Sequence, residues 1–357
     1  SYSVTGVQTC ALPIFFEQGD AGCAVGDFVP LRAWLLARLM WNPDQDENAL
    51  MDEFLNGYYG AAGPHLRRYL DYREDAVAQA GTFLRCYMTD TTPWLSAGQL
   101  GEASRLYGLA EAAVADQPEL ARRVRRERLS LDHAWLQRWH ALRREARLLG
   151  TPFVGPEHPE ALAAEFVRLC SAYHANQYRE GGAFAAYGES LLARFGPPAE
   201  VPTVCRELPE DAWIDIQEGE FILHGEGRWV TVVSDQPASN GRAARLPGNH
   251  PQWAVQWPVG GTFLPGGPWR VHVAVRCEVA AAEGLALSLG IYDGKARRAR
   301  AQLRIEVPAV ADGTYHLIDL GAHDLSPECY VWVAPPDRET GVSAVYVDRI
   351  VLVRANP

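Results

Sequence analysis

The sequence predicts a multidomain chain of the α plus all-β class, and three observations carry that prediction. Apolar residues recur at helical spacing through the first half. A glycine followed by two prolines interrupts the chain in RFGPPAEVP, Arg194 to Pro202. Beyond that break the apolar period changes from about 3.6 to 2, the signature of strands with one face in a core.

The elements follow in order. Leu31, Leu35 and Leu39 recur every four residues with Trp34 beside them, a helix that WNP (Trp41 to Pro43) stops because proline cannot continue it. Asp44 or Asp46 then stands where a carboxylate can cap the next helix. Further helices are read through LMDEFLNGYYG, HLRRYLDYREDAVAQAG, the long RVRRERLSLDHAWLQRWHALRREARLLG and EALAAEFVRLCSAYHANQY. After Pro202, RVHVAVRCEV alternates Val271, Val273, Val275, Cys277 and Val279 with Arg270, His272, Ala274, Arg276 and Glu278, a strand with one buried face. LALSLGIY repeats the pattern, and VSAVYVDRIVLVR, apolar on both faces, reads as a central strand. Turns at Pro265 to Pro268 and Ala311 to Gly313 separate such runs, as in an antiparallel sandwich.

Composition narrows the function. With 357 residues, 48% hydrophobic and 22% charged, the chain can bury two or three cores. No apolar run reaches the roughly 18 residues of a membrane helix. The net charge of −11 opposes nucleic-acid phosphates, and the one basic cluster, ARRVRRERLS at Ala121 to Ser130, has helical spacing without aromatic platforms and is read as a solvated helix face. The seven cysteines, Cys10, Cys23, Cys86, Cys170, Cys205, Cys277 and Cys329, are widely and irregularly spaced. They form no zinc pattern, and all but Cys10, which falls in the N-terminal stretch VTGVQTCALPI, read as isolated buried thiols. No G-x-S-x-G elbow, P-loop, dinucleotide fingerprint or H-E-x-x-H helix occurs.

The N-terminal residues VTGVQTCALPI, 4 to 14, are what a common sequencing-library adapter yields when translated in frame, so residues 1–14 are expected to have no evolved structural role. A signal peptide needs a basic n-region and a longer apolar core, which this stretch lacks. Location is left open, secretion and a periplasmic site included. FFEQGD, Phe15 to Asp20, reads as a short apolar strand ending in Glu17, Gln18 and Asp20 before a glycine-containing loop and a helix. Strands commonly end in polar residues, so this alone assigns nothing.

FEQGD together with LRAWLLARLMWNPDQDENALMDEFLNGYYGAAGPHLRRYLDYREDAV resembles the bacterial family catalogued as domain of unknown function 4838, densest over Phe15 to Val77. ASNGRAARLPGNHPQWAVQWP, Ala238 to Pro258, resembles the C-terminal segment of many of its members. Those proteins look like relatives of hexosaminidase and α-glucuronidase barrels. The resemblance implies that residues 15–43 are the last strand and helix of a (β/α)₈ barrel, followed by a helical domain over 44–197 and a jelly-roll, galactose-binding-like sandwich over 203–357. It places Glu17 and Gln18 at the C-terminal rim of strand eight, where barrels hold substrate, with Asp20 as a further substrate-binding candidate; Glu17 could equally serve as a hydrogen-bond partner for neighbouring barrel loops. The acid and nucleophile of glycoside hydrolysis would lie on earlier strands, upstream of Phe15. The chain is therefore expected to be an inactive C-terminal fragment of a glycoside-hydrolase-like protein acting on polysaccharide or glycan, with no catalytic residue of its own. A non-catalytic carbohydrate-binding or scaffold protein is the other reading. No cofactor, nucleic-acid partner or membrane segment is expected.

In the sandwich, tryptophan offers sugars a flat indole face and one N–H donor. Of Trp229, Trp253, Trp257, Trp269 and Trp332, core packing is the commoner fate; Trp257, Trp269 and Trp332 are expected in the core, whereas Trp253 is open to either role. Asn249 and His250, in the polar loop before Trp253, carry donors and acceptors for sugar hydroxyls; the same loop could instead dock on the helical domain. Asp348, in an otherwise apolar strand, could contribute to a structural calcium site or pair with a nearby arginine, and one carboxylate cannot supply the six to eight oxygens that calcium takes.

Overall fold

The computed structural model describes residues 26–84, 91, 94–179, 181–225 and 227–355. The stretch read as adapter-derived and the candidates Glu17, Gln18 and Asp20 lie outside these residues. The chain divides into two compact units, one of residues 1–142 and 153–195, the other of residues 143–152 and 196–357.

In the first unit, α1 (Val29–Trp41), α2 (Glu47–Tyr59), α3 (Gly63–Gln79), α4 (Ala97–Ala113) and the first part of α5 (Pro118–Leu149) are followed by α6 (Pro159–Ala172), a hairpin of β1 (Gln177–Arg179) and β2 (Gly182–Ala183), and α7 (Phe184–Arg194). Asp46 caps α2, accepting hydrogen bonds from the amides of Asn48 and Ala49. Ser96 and Gln99 close a capping box on α4. Opposite faces of α5 feed two cores. Val124, Leu131 and Trp135 join Leu55, Tyr59, Leu66 and Tyr107, and Leu129 and Leu136 join Phe166, Phe184 and Leu191. On α1, Leu31 is buried while Leu35 and Leu39 are half-buried, and Trp41 is 91% exposed.

Two readings from the sequence are corrected here. The helix expected to run to Tyr178 stops at Ala172, His174 adopting a positive φ of 58°, and Tyr178 lies in β1. The basic cluster is not a free cationic face: Arg122 and Arg123 pair with Glu119, Arg125 and Arg128 with Asp132, and Arg128 also with Glu111. Acids one or two turns away along the helix and on α4 take up the charges that sequence spacing suggested were solvated.

The second unit is an antiparallel sandwich. Its strands are β3 (Trp213–Gln217), β4 (Ile222–Leu223), β5 (Thr231–Ser234), β6 (Arg242–Pro247), β7 (Val255–Pro258), β8 (Trp269–Val279), β9 (Leu285–Asp293), β10 (Arg298–Glu306), β11 (His316–His323), β12 (Cys329–Ala334) and β13 (Val342–Arg354). One sheet has the order β10-β9-β12-β7-β4; the other has the order β11-β8-β13-β6-β5, with β3 also pairing with β13. Val271, Val273 and Val275 of one sheet and Leu287, Leu289 and Ile291 of the other share a single core with Trp257 and Trp269. Leu148, from the last turn of α5, is buried in that same core.

β13 is central, as its double-sided apolar pattern predicts. β8 runs along one edge of it, while β6 pairs with Ala344 to Val347 and β3 with Arg349 to Val353 on the other. A register shift against β8 falls between Val347 and Ile350, and this irregularity holds the polar pair Asp348 and Arg349. β8 is buried on both faces rather than one. Its position inside the sheet lets Arg276 pair with Asp235 (2.8 Å) and lie 3.9 Å from the Tyr346 ring centroid, covering the side expected to meet solvent.

The outward face of the five-stranded sheet is different. Opposite residues form three rows: Ala299–Tyr292–Tyr330–Pro258, Gln302–Gly290–Trp332–Gln256–Ile222, and Arg304–Ser288–Ala334. Trp332 is half-buried on this face, not in the core, because Val331 and Val333 take the inward positions of β12. Trp257 and Trp269 are buried as expected.

Candidate functional site

Two connections of the sandwich meet around His224, Trp229, His250 and Trp253. His224 directly follows β4, and its amide donates to the carbonyl of Ala254 (2.9 Å), extending the β4–β7 pairing by one residue. Ala254 in turn donates to Val333 of β12 (2.9 Å). The connection between β6 and β7 is tied at its tip, where the amide of His250 donates to the carbonyl of Pro336 (2.8 Å). Its base is fixed at Gly248, where a Cβ would fall 1.7 Å from the carbonyl oxygen of Val342. The loop is therefore held at both ends by backbone.

The rings then assemble. His224 meets Trp253 edge to face with centroids 4.7 Å apart and meets His250 at 5.1 Å. Trp229 lies 5.1 Å from His250. Trp229 is 49% exposed, Trp253 is half-buried and Asn249 at the loop tip is exposed. His250 is buried, its Nδ1 3.3 Å from the amide of Gln252. Nδ1 of His224 is buried without a hydrogen-bond partner, an arrangement native proteins keep rare because it forfeits about 1–3 kcal/mol. Chemically, the cluster sets an exposed indole and a half-buried one beside imidazole nitrogens, a combination able to stack on and hydrogen-bond a sugar ring.

The structure brings His250 and Trp253 together around His224 and sets Trp229 beside His250, while Asn249 stands exposed next to His250 in the chain. Trp229 was legible as a candidate but not as a neighbour, and His224 carried no local signal, since its contact with Trp253 depends on the pairing of β4 with β7.

Asp348 has partners that are donors. It accepts hydrogen bonds from the amide (3.2 Å) and hydroxyl (2.8 Å) of Ser239 and from Nε of Arg349 (3.3 Å). Nη1 of Arg349 donates to Glu200 O (2.6 Å) and Asp215 Oδ2 (3.1 Å). Among the described residues no group of three or more His, Cys, Asp or Glu side chains could hold a metal ion. The arginine pairing accounts for this aspartate without a cation.

Burial pushes the Asp215 carboxyl up to about 6, against the pull of Arg349. The sign of the stability effect follows. Between about pH 4 and pH 6 the folded chain holds a proton that the unfolded chain, with an ordinary Asp near 3.9, has released. This contribution is fully present below about pH 4 and is lost as pH rises through 6. Urea unfolding compared at pH 4.5 and 7 is expected to show it, by about 2 kcal/mol, and Asp215→Asn is expected to flatten that difference. An unchanged pH dependence in the variant would show that Asp215 is ordinary.

A family model described as Domain of unknown function (DUF4838) matches residues 8–71. The match begins inside the stretch read as adapter-derived and covers α1 and α2. No curated protein matches the chain. Among solved structures, the CBM22-1 xylan-binding domain from Paenibacillus barcinonensis Xyn10C is similar at 14% identity, over 40% of this chain and 94% of that one, with a TM-score of 0.30. TmCBM61 in complex with beta-1,4-galactotriose is similar at 14% identity, over 39% and 90%, with a TM-score of 0.28. A family 35 carbohydrate binding module from Clostridium thermocellum is similar at 16% identity, over 39% and 98%, with a TM-score of 0.28. Among the described residues no helix is long and apolar enough to cross a membrane.

Proposed function

We propose that the sandwich is a carbohydrate-binding module whose site is the His224, Trp229, His250 and Trp253 cluster, with Asn249 at its rim. The observation that carries this reading is an exposed indole and a half-buried one held by backbone-anchored loops around two imidazoles. Stacking on a pyranose uses the flat rings, and Asn249 supplies the directional contacts that distinguish one sugar from another.

Calorimetric titration of the whole chain with soluble oligosaccharides tests it. Trp253→Ala and Trp229→Ala are each expected to weaken binding about tenfold or more, equivalent to about 1.4 kcal/mol, with thermal unfolding unchanged. A titration curve that neither substitution alters would remove the cluster from consideration.

The reading of the N-terminal region rests on the family resemblance and the DUF4838 match. On that basis Glu17, Gln18 and Asp20 contact substrate at the rim of a barrel strand in a glycoside-hydrolase-like parent, and the sandwich is a galactose-binding-like jelly roll that presents or holds the glycan.

A further inference from the structure

We infer that the outward face of the five-stranded sheet is a second carbohydrate site, shaped for a linear, uncharged polysaccharide. Tyr292 and Tyr330 sit side by side on β9 and β12 with centroids 5.4 Å apart. Trp332 follows Tyr330 two positions along β12, about 7 Å away on the same face. Its indole lies against Gly290: a Cβ built there would fall 2.4 Å from the carbonyl oxygen of Ala301 and 3.1 Å from both Nε1 and Cζ2 of Trp332, so the bare glycine leaves a flat seat on which the ring rests. The three rings form a short aromatic track.

The flanking chemistry identifies the occupant. Gln302 stands on one side of the Gly290–Trp332 pair and Gln256 on the other, both in the same row. The three rows contain no carboxylate although the chain carries a net charge of −11, and their only formal charge is Arg304 at the edge strand. A basic peptide finds no counter-charge on this surface. A nucleic acid would need several cations where there is one. An apolar helix would need an aliphatic patch, and Ile222, at the far edge, is the only large aliphatic side chain in these rows. Rings interleaved with neutral amides and hydroxyls suit consecutive sugar rings lying along the track. Gly290 keeps the middle of the track flat: a Cβ there would run into the Ala301 carbonyl at the irregularity of β10 and would also crowd the indole.

The test uses the whole chain and three neutral probes, xylohexaose, cellohexaose and mannohexaose, each with its disaccharide. At least one hexasaccharide is expected to bind about tenfold more tightly than its disaccharide. Trp332→Ala and Tyr330→Ala are each expected to erase that length dependence while leaving the melting temperature unchanged, both side chains being on the outward face. The loop cluster is separated by Trp253→Ala, which is expected to leave the length dependence in place. Length dependence lost in Trp253→Ala but kept in both sheet-face variants would overturn this site and leave the loop cluster standing. Failure of all three hexasaccharides to bind the unmodified chain would overturn it as well.

Discussion

Replacing Arg349 with Met is expected to lower the unfolding free energy by about 3–5 kcal/mol, the range for stripping one partner from a buried ion pair. The guanidinium is buried where β13 breaks register, and it serves three acceptors at once: Asp348, Asp215 and the carbonyl of Glu200. Methionine fills much of the volume but donates nothing. The buried Asp348 and the half-buried Asp215 are then left without their cation, and Oδ1 of Asp215 has no hydrogen-bond partner to begin with. The loss is expected to be smaller at pH 5 than at pH 7.5, because Asp215 takes up a proton near 6. Urea unfolding at both pH values checks this. The double variant Arg349→Met with Asp215→Asn is expected to recover part of the loss. A change below about 1 kcal/mol at pH 7.5 would mean that water, not Arg349, balances the aspartates.

A sandwich cut to residues 200–357 is expected to be at least about 4 kcal/mol less stable than one cut to 143–357. Leu148 is buried in the sandwich core, where truncating a leucine costs about 2–5 kcal/mol. Arg144 makes paired hydrogen bonds of 2.7 and 2.6 Å to Glu220, which is left without its guanidinium if the segment is removed. Arg147 donates to the carbonyl of Trp213 (2.7 Å) and lies 4.8 Å from its ring centroid. Folding of the Glu200–Pro357 segment by itself is what the proline break suggests. The structure assigns residues 143–152 to the same unit, so the shorter piece lacks part of its own core. Urea midpoints of the two segments, with Leu148→Ala in the whole chain as control, decide the matter; coincident midpoints would show that the extra residues contribute nothing.

The proline break also shows where reading a sequence stops. Helical and strand periods were legible because each element's own residues record which sides are buried. Asp46 as the cap of α2 was legible for the same reason: capping is local. The destination of the last turn of α5 was not, since apolar spacing is identical whichever core a face enters. Trp332 illustrates a signal present but outweighed. Cys329, Val331 and Val333 alternate with Tyr330, Trp332 and Ala334, which separates the two faces, yet a tryptophan by itself argues for burial. The meeting of His224 with Trp253 and the cradle under Trp332 come from strand pairing, which no short window of sequence contains. Arg128 and Glu111 are likewise brought together only by the packing of two helices.

Gly248 has a meaning for how this surface can diversify. With the carbonyl of Val342 occupying the space of any side chain, position 248 admits a single residue, whereas Asn249, next to it, is exposed. In a library randomising residues 248–253 and selected only for folding, the first position is expected to return glycine alone and the second nearly the full alphabet. A loop with one invariant base and a permissive tip can exchange its chemistry without relearning its geometry, so new ligand preferences would be reached by point changes at 249 and 253 rather than by insertions.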